Sequence, residues 1–337
     1  MSLEFNKDAN HFNFIRLFGA FLVFYGHSYA IMGSSLNIYL NHEIGIYIFF
    51  AISGYLISLS WENDPSIIRY FKRRALRIFP ALVVVIVLSI LVLGPIMTTL
   101  DLKDYFSNTH TANYLYNIVL YISYYLPGVF EHNPIPNAVN GSLWSLPAEF
   151  FMYILVAIFG QAKKYTKYVV AFIFIIFVLA TIFWARVTPD MLVIYATDFR
   201  EVIKTGTFFW AGALMFHWNF KRFFTFEYFT LVLLTLLLTY QFTYFYSIAS
   251  LFLIPFLVLS FGFSNAKVLL LFNKFDYSYG FYIYAFPVQQ SLIYLYPNIS
   301  VPLFLTSAFV TTMTFAALSW HLVEKPILKM KPKKTSL

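Results

Sequence analysis

Long apolar runs alternate with short polar breaks along the whole chain, and the first run already departs from a plain membrane anchor. Phe12 to Met32 matches the roughly 20 residues that carry a helix across a bilayer core, yet it contains Arg16 and His27. At about 100° and 1.5 Å per residue, the two return to within about 20° of the same helix face, roughly 16 Å apart along the axis. Charge at membrane depth costs free energy and usually marks function. Each residue alone also admits a plainer account, with Arg16 snorkelling to the headgroups and His27 satisfied inside a core.

Nine more apolar runs follow, at about Gly45 to Ser60, Ile78 to Leu100, Leu143 to Phe159, Tyr168 to Trp184, Ile203 to Trp218, Phe226 to Tyr240, Ser247 to Phe263, Ser278 to Leu295 and Val301 to His321. A polar turn around Asn37 to Glu43 separates the first two, and the basic stretch Arg69 to Arg77 feeds the third. An eleventh candidate, Tyr114 to Phe130, is rich in tyrosine and ends near Pro127 and Gly128. Lys and Arg collect in cytoplasmic loops. If this segment does not cross, the outer side keeps only Lys103, Arg186, Arg200 and Lys204, and the other 19 of the 23 basic residues face the cytoplasm. If it crosses, that asymmetry collapses. The expectation is ten transmembrane helices, both termini cytoplasmic, and a re-entrant or interfacial element at 114–130. Non-helical backbone survives at membrane depth only inside protein or along a cavity, so this element is expected to wall a site.

Composition agrees with an all-α polytopic membrane protein. Hydrophobic residues make up 60% of the 337 and charged residues 11%, against about 25% charged in soluble domains. Mean hydropathy is +0.70. The aromatic share of 22% comes with too little charge for nucleic-acid binding and suits lipid-facing and interfacial positions. The chain contains no cysteine, which excludes disulfides, thiolate metal sites and a cysteine acyl-enzyme. The first run is too long for a signal-peptide core and lacks an obvious cleavage site, so it is read as a mature helix. Residues 1–337 are expected to form one transmembrane domain with no fused soluble domain, and no feature specifies an oligomeric state.

Three places carry candidate chemistry. Arg74 and Arg77 lie three residues apart on a helix entering the membrane, with Lys72 and Arg73 beside them. Such a fork suits phosphate, which arginine holds bidentately, and a juxtamembrane cluster that binds anionic lipid is the alternative. Glu149 lies inside its span, two residues after Pro147, and a buried carboxylate demands a partner or a proton. His27, Arg16 or an arginine of the third helix are its candidate partners, a purely structural ion pair included. Asn140, Ser142 and Trp144 offer hydrogen-bonding and stacking groups that suit a sugar or a helix cap. Glu324 ends the last span, as an ion-pair partner of the basic stretch or as a plain helix stop. The other histidines lack ligand spacing, so no metal site is expected.

Taken in order, these stretches resemble the integral-membrane acyltransferase family 3, mostly bacterial O-acetyltransferases of cell-envelope carbohydrate. Arg16 to His27 is similar to the family's arginine, ten residues, histidine signature. Phe49-Phe-Ala-Ile-Ser53-Gly54 is similar to its second-helix motif, Arg73-Arg74-Ala-Leu-Arg77 to its basic motif, and Asn140-Gly-Ser-Leu-Trp144 to Glu149 to its tryptophan-glutamate motif. Tyr277-Ser-Tyr279-Gly280 and Val323-Glu324-Lys325-Pro326 resemble late motifs. Two positions depart: Ala285 stands where many members have histidine, and Tyr47 where many have an acid.

The resemblance implies a multi-pass enzyme of the bacterial inner membrane. It would move an acyl group, expected to be acetyl, from acyl-coenzyme A at the cytoplasmic side to a carbohydrate hydroxyl, with no permanently bound cofactor. On that reading Arg16, Lys72, Arg73, Arg74 and Arg77 bind the donor and His27 is the general base. Glu149 orients it, and Ser53 and Tyr279 join Asn140, Ser142 and Trp144 in the site wall. The partners implied are the bilayer, acyl-coenzyme A, and a polysaccharide or lipid-linked sugar. A transporter or flippase of lipid-linked saccharide is the competing class, because it too has many spans with buried charges.

Overall fold

The computed structural model describes residues 10–33, 43–264 and 267–332. The expected turn at 37–42, with His42, lies outside the described residues, as do Lys7, Lys333, Lys334 and both chain ends. Among the described residues, ten helices of 14 or more residues occupy the positions of the ten apolar runs. They are α1 (Phe12–Ile31), α2 (Glu43–Asn63), α3 (Ile67–Leu88), α4 (Ser145–Phe159), α5 (Thr166–Ala180), α6 (Phe199–His217), α7 (Phe226–Thr239), α8 (Thr243–Gly262), α9 (Ser278–Leu295) and α10 (Val301–Ser319). Two short strands, β1 (Val193–Ile194) and β2 (Thr197–Asp198), pair antiparallel just before α6. Among the described residues, six helical runs are long and apolar enough to cross a membrane.

The surface is inverted relative to a soluble protein. Phe172 on α5, Leu238 on α7 and Leu303 on α10 point outward, and no α7 residue is buried. Hydrocarbon is the solvent in which such a surface is stable, and helices satisfy their own backbone there. With lipid outside, burying apolar area gives little drive for helix association, so close packing must do it. The seams supply it through small residues. A Cβ on Gly54 of α2 would sit 1.8 Å from the Phe209 carbonyl oxygen of α6. A Cβ on Gly45 would sit 2.3 Å from the Gly19 carbonyl oxygen of α1.

Side-chain pairs fix the relative direction of two pairs of helices. Arg16 meets Asp276 at the start of α9, and Gln289 of α9 donates to the Phe24 carbonyl and to Ser28, so α1 and α9 run parallel. Tyr70, early in α3, donates to the carbonyl of Tyr153, late in α4, so those two run antiparallel. Residues 98–144 therefore leave and re-enter the bundle at the same end. Within them, Tyr114–Val119 is a short 3-10 turn followed by irregular chain, not a crossing helix. Thr99 N–H donates to the Gly128 carbonyl and the Thr98 hydroxyl to the Pro127 carbonyl, which ties this irregular chain back to the start of the segment. Gln290 of α9 donates to the carbonyls of Ile135 and Ala138. Leu126, Val129, Phe130 and Val139 are fully buried beneath it. The segment closes one end of the bundle, and Arg16, Arg77, Asp276 and Glu324 meet toward the other.

One boundary differs from the expectation. The third helix starts at Ile67, eleven residues before the apolar run, and the basic stretch, expected on a helix entering the membrane, forms its first turns. Arg, Lys, Leu and Ala are good helix formers, and a search for apolar runs alone cannot see them.

Candidate active site

The charged end is built around an acid that the apolar pattern does not flag. Asp276 sits two residues before α9 and accepts hydrogen bonds from Arg77 at 2.7 Å and from Ser278 at 2.6 Å. Arg16 lies 3.7 Å from the same carboxylate. Burial works to raise the Asp276 carboxyl, and the facing Arg77 and Arg16 more than offset it, holding it below the usual carboxylate range. Glu324 closes the group from the end of α10, 3.8 Å from Arg77 and bonded to Ser319 at 2.9 Å. A π turn at Trp320–Glu324 aims its side chain inward. Four elements are thus joined through two arginines and two acids.

The rest of the basic stretch divides by partner. Arg73 and Arg69 both bond to Asp64 in the α2–α3 turn, and Lys72 is exposed. Arg74 has no carboxylate partner among the described residues. Its guanidinium lies 5.9 Å from the ring centroids of both Tyr70 and Tyr153, with Ser60 3.4 Å away. Its Nε is buried without a hydrogen bond. Of the arginines expected to meet phosphate, Arg74 is the one whose charge is not already matched.

Tyr153 leads from Arg74 to Glu149. Its hydroxyl donates to Glu149 Oε1 at 2.5 Å, and Ser53 donates to the same oxygen at 2.8 Å. Glu149 borders a cavity of about 40 Å³ with Ser145, Tyr279, Tyr282, Phe49 and Phe50, room for a few waters at most. Tyr282 donates to the Ser142 carbonyl at 2.9 Å and pairs with Ser145 at 2.8 Å. Tyr279 donates to the Ile78 carbonyl at 2.9 Å beneath Arg77.

His27 lies further along α1, its ring edge-to-face with Phe286 of α9 at 5.2 Å. Phe286 also fills the space that a Cβ on Gly141 would need. Of the candidate partners left open for Glu149, His27 is not among its hydrogen-bond partners in the described residues, which are Ser53 and Tyr153. Asn140 caps the turn into α4: its carbonyl accepts from Ser142 N–H and its amide donates to the Ile283 carbonyl at 2.8 Å. Trp144 is half-buried at the start of α4, and Ser142 is buried. Ser53, expected in the site wall, uses its hydroxyl on the carboxylate.

Asp276, Asp64 and Tyr153 escaped the sequence reading. A partner count signals the first, since two arginines at depth need more acid than Glu149 alone. Tyr153 shows itself by lying one turn after Glu149, the spacing at which helix side chains meet. Asp64 has only its place in the turn before α3.

The fold and its polar interior define a polytopic helical membrane protein with a carboxylate and an unmatched arginine inside the bundle. A family model described as an acyltransferase domain matches residues 10–321, so the chain belongs to the integral-membrane acyltransferase family 3. An O-acetyl transferase of Shigella phage Sf6 is 33% identical over 343 residues, covering 98% of this chain and 99% of that protein. Nodulation protein 10 of Rhizobium leguminosarum bv. viciae is 28% identical over 351 residues, covering 96% of this chain and 94% of that protein. Peptidoglycan O-acetyltransferase OatA of Listeria monocytogenes serovar 1/2a is 28% identical over 201 residues, covering 53% of this chain and 30% of that protein. No solved structure matches the chain. The protein is a membrane O-acetyltransferase enzyme.

Proposed function

We propose that this enzyme transfers an acetyl group from acetyl-coenzyme A, bound at the cytoplasmic side of a bacterial inner membrane, to a hydroxyl of a cell-envelope carbohydrate. The observation that carries the reading is Arg74, a cation held between two tyrosines without an acid, joined through Tyr153 to Glu149 at an internal cavity. Coenzyme A is polyanionic, and guanidinium groups suit its phosphates. Arg74 and Lys72 meet them first. Arg73, Arg77 and Arg16 add field while their own acids hold them in place. The saccharide acceptor finds support in the name of the Listeria relative, a peptidoglycan O-acetyltransferase.

In this reading the chain crosses the membrane ten times with both termini cytoplasmic, and residues 98–144 lie at the outer end. The pantetheine arm extends between the helices and brings the thioester toward His27. His27 takes the proton of the acceptor hydroxyl, whose oxygen forms the new bond to the acyl carbon as the carbon–sulfur bond breaks. The proton then passes to the departing thiolate, which leaves as free coenzyme A. Glu149, held in place by its two hydroxyl donors, is placed to favour positive charge developing on the imidazole from a distance. The protein's own contribution is to bind, orient and exclude water.

The test uses purified full-length protein with radiolabelled acetyl-coenzyme A and saccharide extracted from the envelope of cells lacking the gene. Wild type is expected to bind the donor and release thiol. His27→Gln is expected to stay folded and bind donor while losing transfer by about 100-fold or more. Transfer at the wild-type rate by folded His27→Gln removes His27 as the base. A protein that neither binds the donor nor releases thiol fits a flippase instead.

A further inference from the structure

We propose that Tyr153 is a positioning residue for both halves of the site: its ring seats the Arg74 guanidinium and its hydroxyl fixes the Glu149 carboxylate. This rests on the roles given above to Arg74 and Glu149. The Tyr153 side chain is buried, and two independent contacts hold it. The Tyr70 hydroxyl donates to its carbonyl at 3.1 Å, and the Tyr70 ring is the second face against Arg74. Its own hydroxyl reaches Glu149 Oε1 at 2.5 Å and lies 3.3 Å from Ser53 Oγ.

Two donors converge on one carboxylate oxygen. Glu149 Oε1 receives both Tyr153 and Ser53, and Oε2 has no hydrogen-bond partner among the described residues. Oε2 is also absent from the polar atoms buried without a partner, so it is open to the cavity that Glu149 borders. The terminal torsion of a glutamate is soft and roughly two-fold, so a free carboxylate would exchange its oxygens or swing toward the arginines. Two hydrogen bonds to one oxygen oppose that, because a partial rotation breaks both. Oε2 is thereby the oxygen offered to the reaction. The ring does a different job. Stacked over two tyrosines, the Arg74 guanidinium is ordered before any anion arrives, so less conformational freedom is lost when one binds.

Substitution separates the two jobs. Tyr153→Phe keeps the ring and removes the hydroxyl, Tyr153→Leu removes both, and Ser53→Ala removes the second donor. Each is assayed as full-length protein for binding of radiolabelled acetyl-coenzyme A and for thiol release with the envelope-saccharide extract. Tyr153→Phe and Ser53→Ala are expected to bind the donor within about twofold of wild type while kcat falls by about tenfold to a hundredfold. Tyr153→Leu is expected to lose about fivefold or more in donor affinity as well. A residue that only packs the bundle would lower thermal stability without this split between KM and kcat. Should the Tyr153 variants not fold, Ser53→Ala carries the test of the shared oxygen. Glu149→Gln separates the two levels of the reasoning. Wild-type transfer by Glu149→Gln removes the role of Glu149, and this proposal with it. An inactive Glu149→Gln beside Tyr153→Phe and Ser53→Ala at full kcat refutes the positioning role alone. Equal loss of donor binding in Tyr153→Phe and Tyr153→Leu refutes the division between ring and hydroxyl.

Discussion

Replacing Asp276 with asparagine tests the charged end most directly, because the substitution keeps the side chain's shape and removes its charge. Asp276 faces Arg77 at 2.7 Å and Arg16 at 3.7 Å, and the side-chain exposures are 22% for each arginine and 10% for the acid. Removing one member of a buried ion pair costs about 3–5 kcal/mol, because the remaining charge is left desolvated and unmatched. Two features reduce that figure here. The arginines keep about a fifth of their surface, so water and salt reach them in part, and Glu324 stays 3.8 Å from Arg77. The expected loss is therefore about 2–3 kcal/mol of unfolding free energy. Denaturant unfolding of the detergent-solubilised protein measures it, with Arg77→Gln and the double variant completing a cycle. The coupling between Asp276 and Arg77 is expected to be at least about 1 kcal/mol. An Asp276→Asn protein within about 0.5 kcal/mol of wild type refutes the reasoning, because that is the range of an ordinary surface substitution.

Two stability predictions accompany the His27 and Tyr153 tests. Gly54→Ala puts a methyl 1.8 Å from the Phe209 carbonyl oxygen, so α2 and α6 must part. Thermal unfolding is expected to register a loss of about 1–3 kcal/mol, and an unchanged melting temperature would show that the seam yields freely. Hydrogen bonds from Arg69, joined by Arg73, hold the Asp64 carboxyl down to about 2 against burial. Its folded value lies below the unfolded value of about 3.9, so its stabilisation is complete above that pH and is lost as pH falls toward 2. Acid titration of stability is expected to show that limb in wild type and to lack it in Asp64→Asn; identical acid limbs would exclude the assignment.

Much of the fold was legible because lipid imposes a simple rule on sequence. A segment that crosses must be apolar and helical, so the positions of the long helices could be read from the apolar runs. The behaviour of 114–130 was legible from a different physical quantity, the charge left in the loops. The basic stretch at the start of α3 was legible as helix from its residue types and not from hydropathy. The candidate site was legible in its unusual members. Arg16, His27, Arg74 and Glu149 stand out because charge in an apolar run is costly and rarely accidental.

The sequence by itself determined that this is a helical membrane protein, where its helices lie, and that Arg16 and His27 share a helix face. Its ordered motifs also determined the family. The tertiary structure alone decided which charges meet. Arg77 and Asp276 are 199 residues apart, and Ser53 and Glu149 are 96 apart, so no local spacing pairs them. Only the packing of α3 against the start of α9 and of α2 against α4 brings them together. The same geometry turned Ser53 from a wall residue into a donor to Glu149 and gave Arg16 and Arg77 an acid of their own. An apolar pattern records which faces avoid water, whereas an ion pair depends on distance and direction between helices, and those are set by packing.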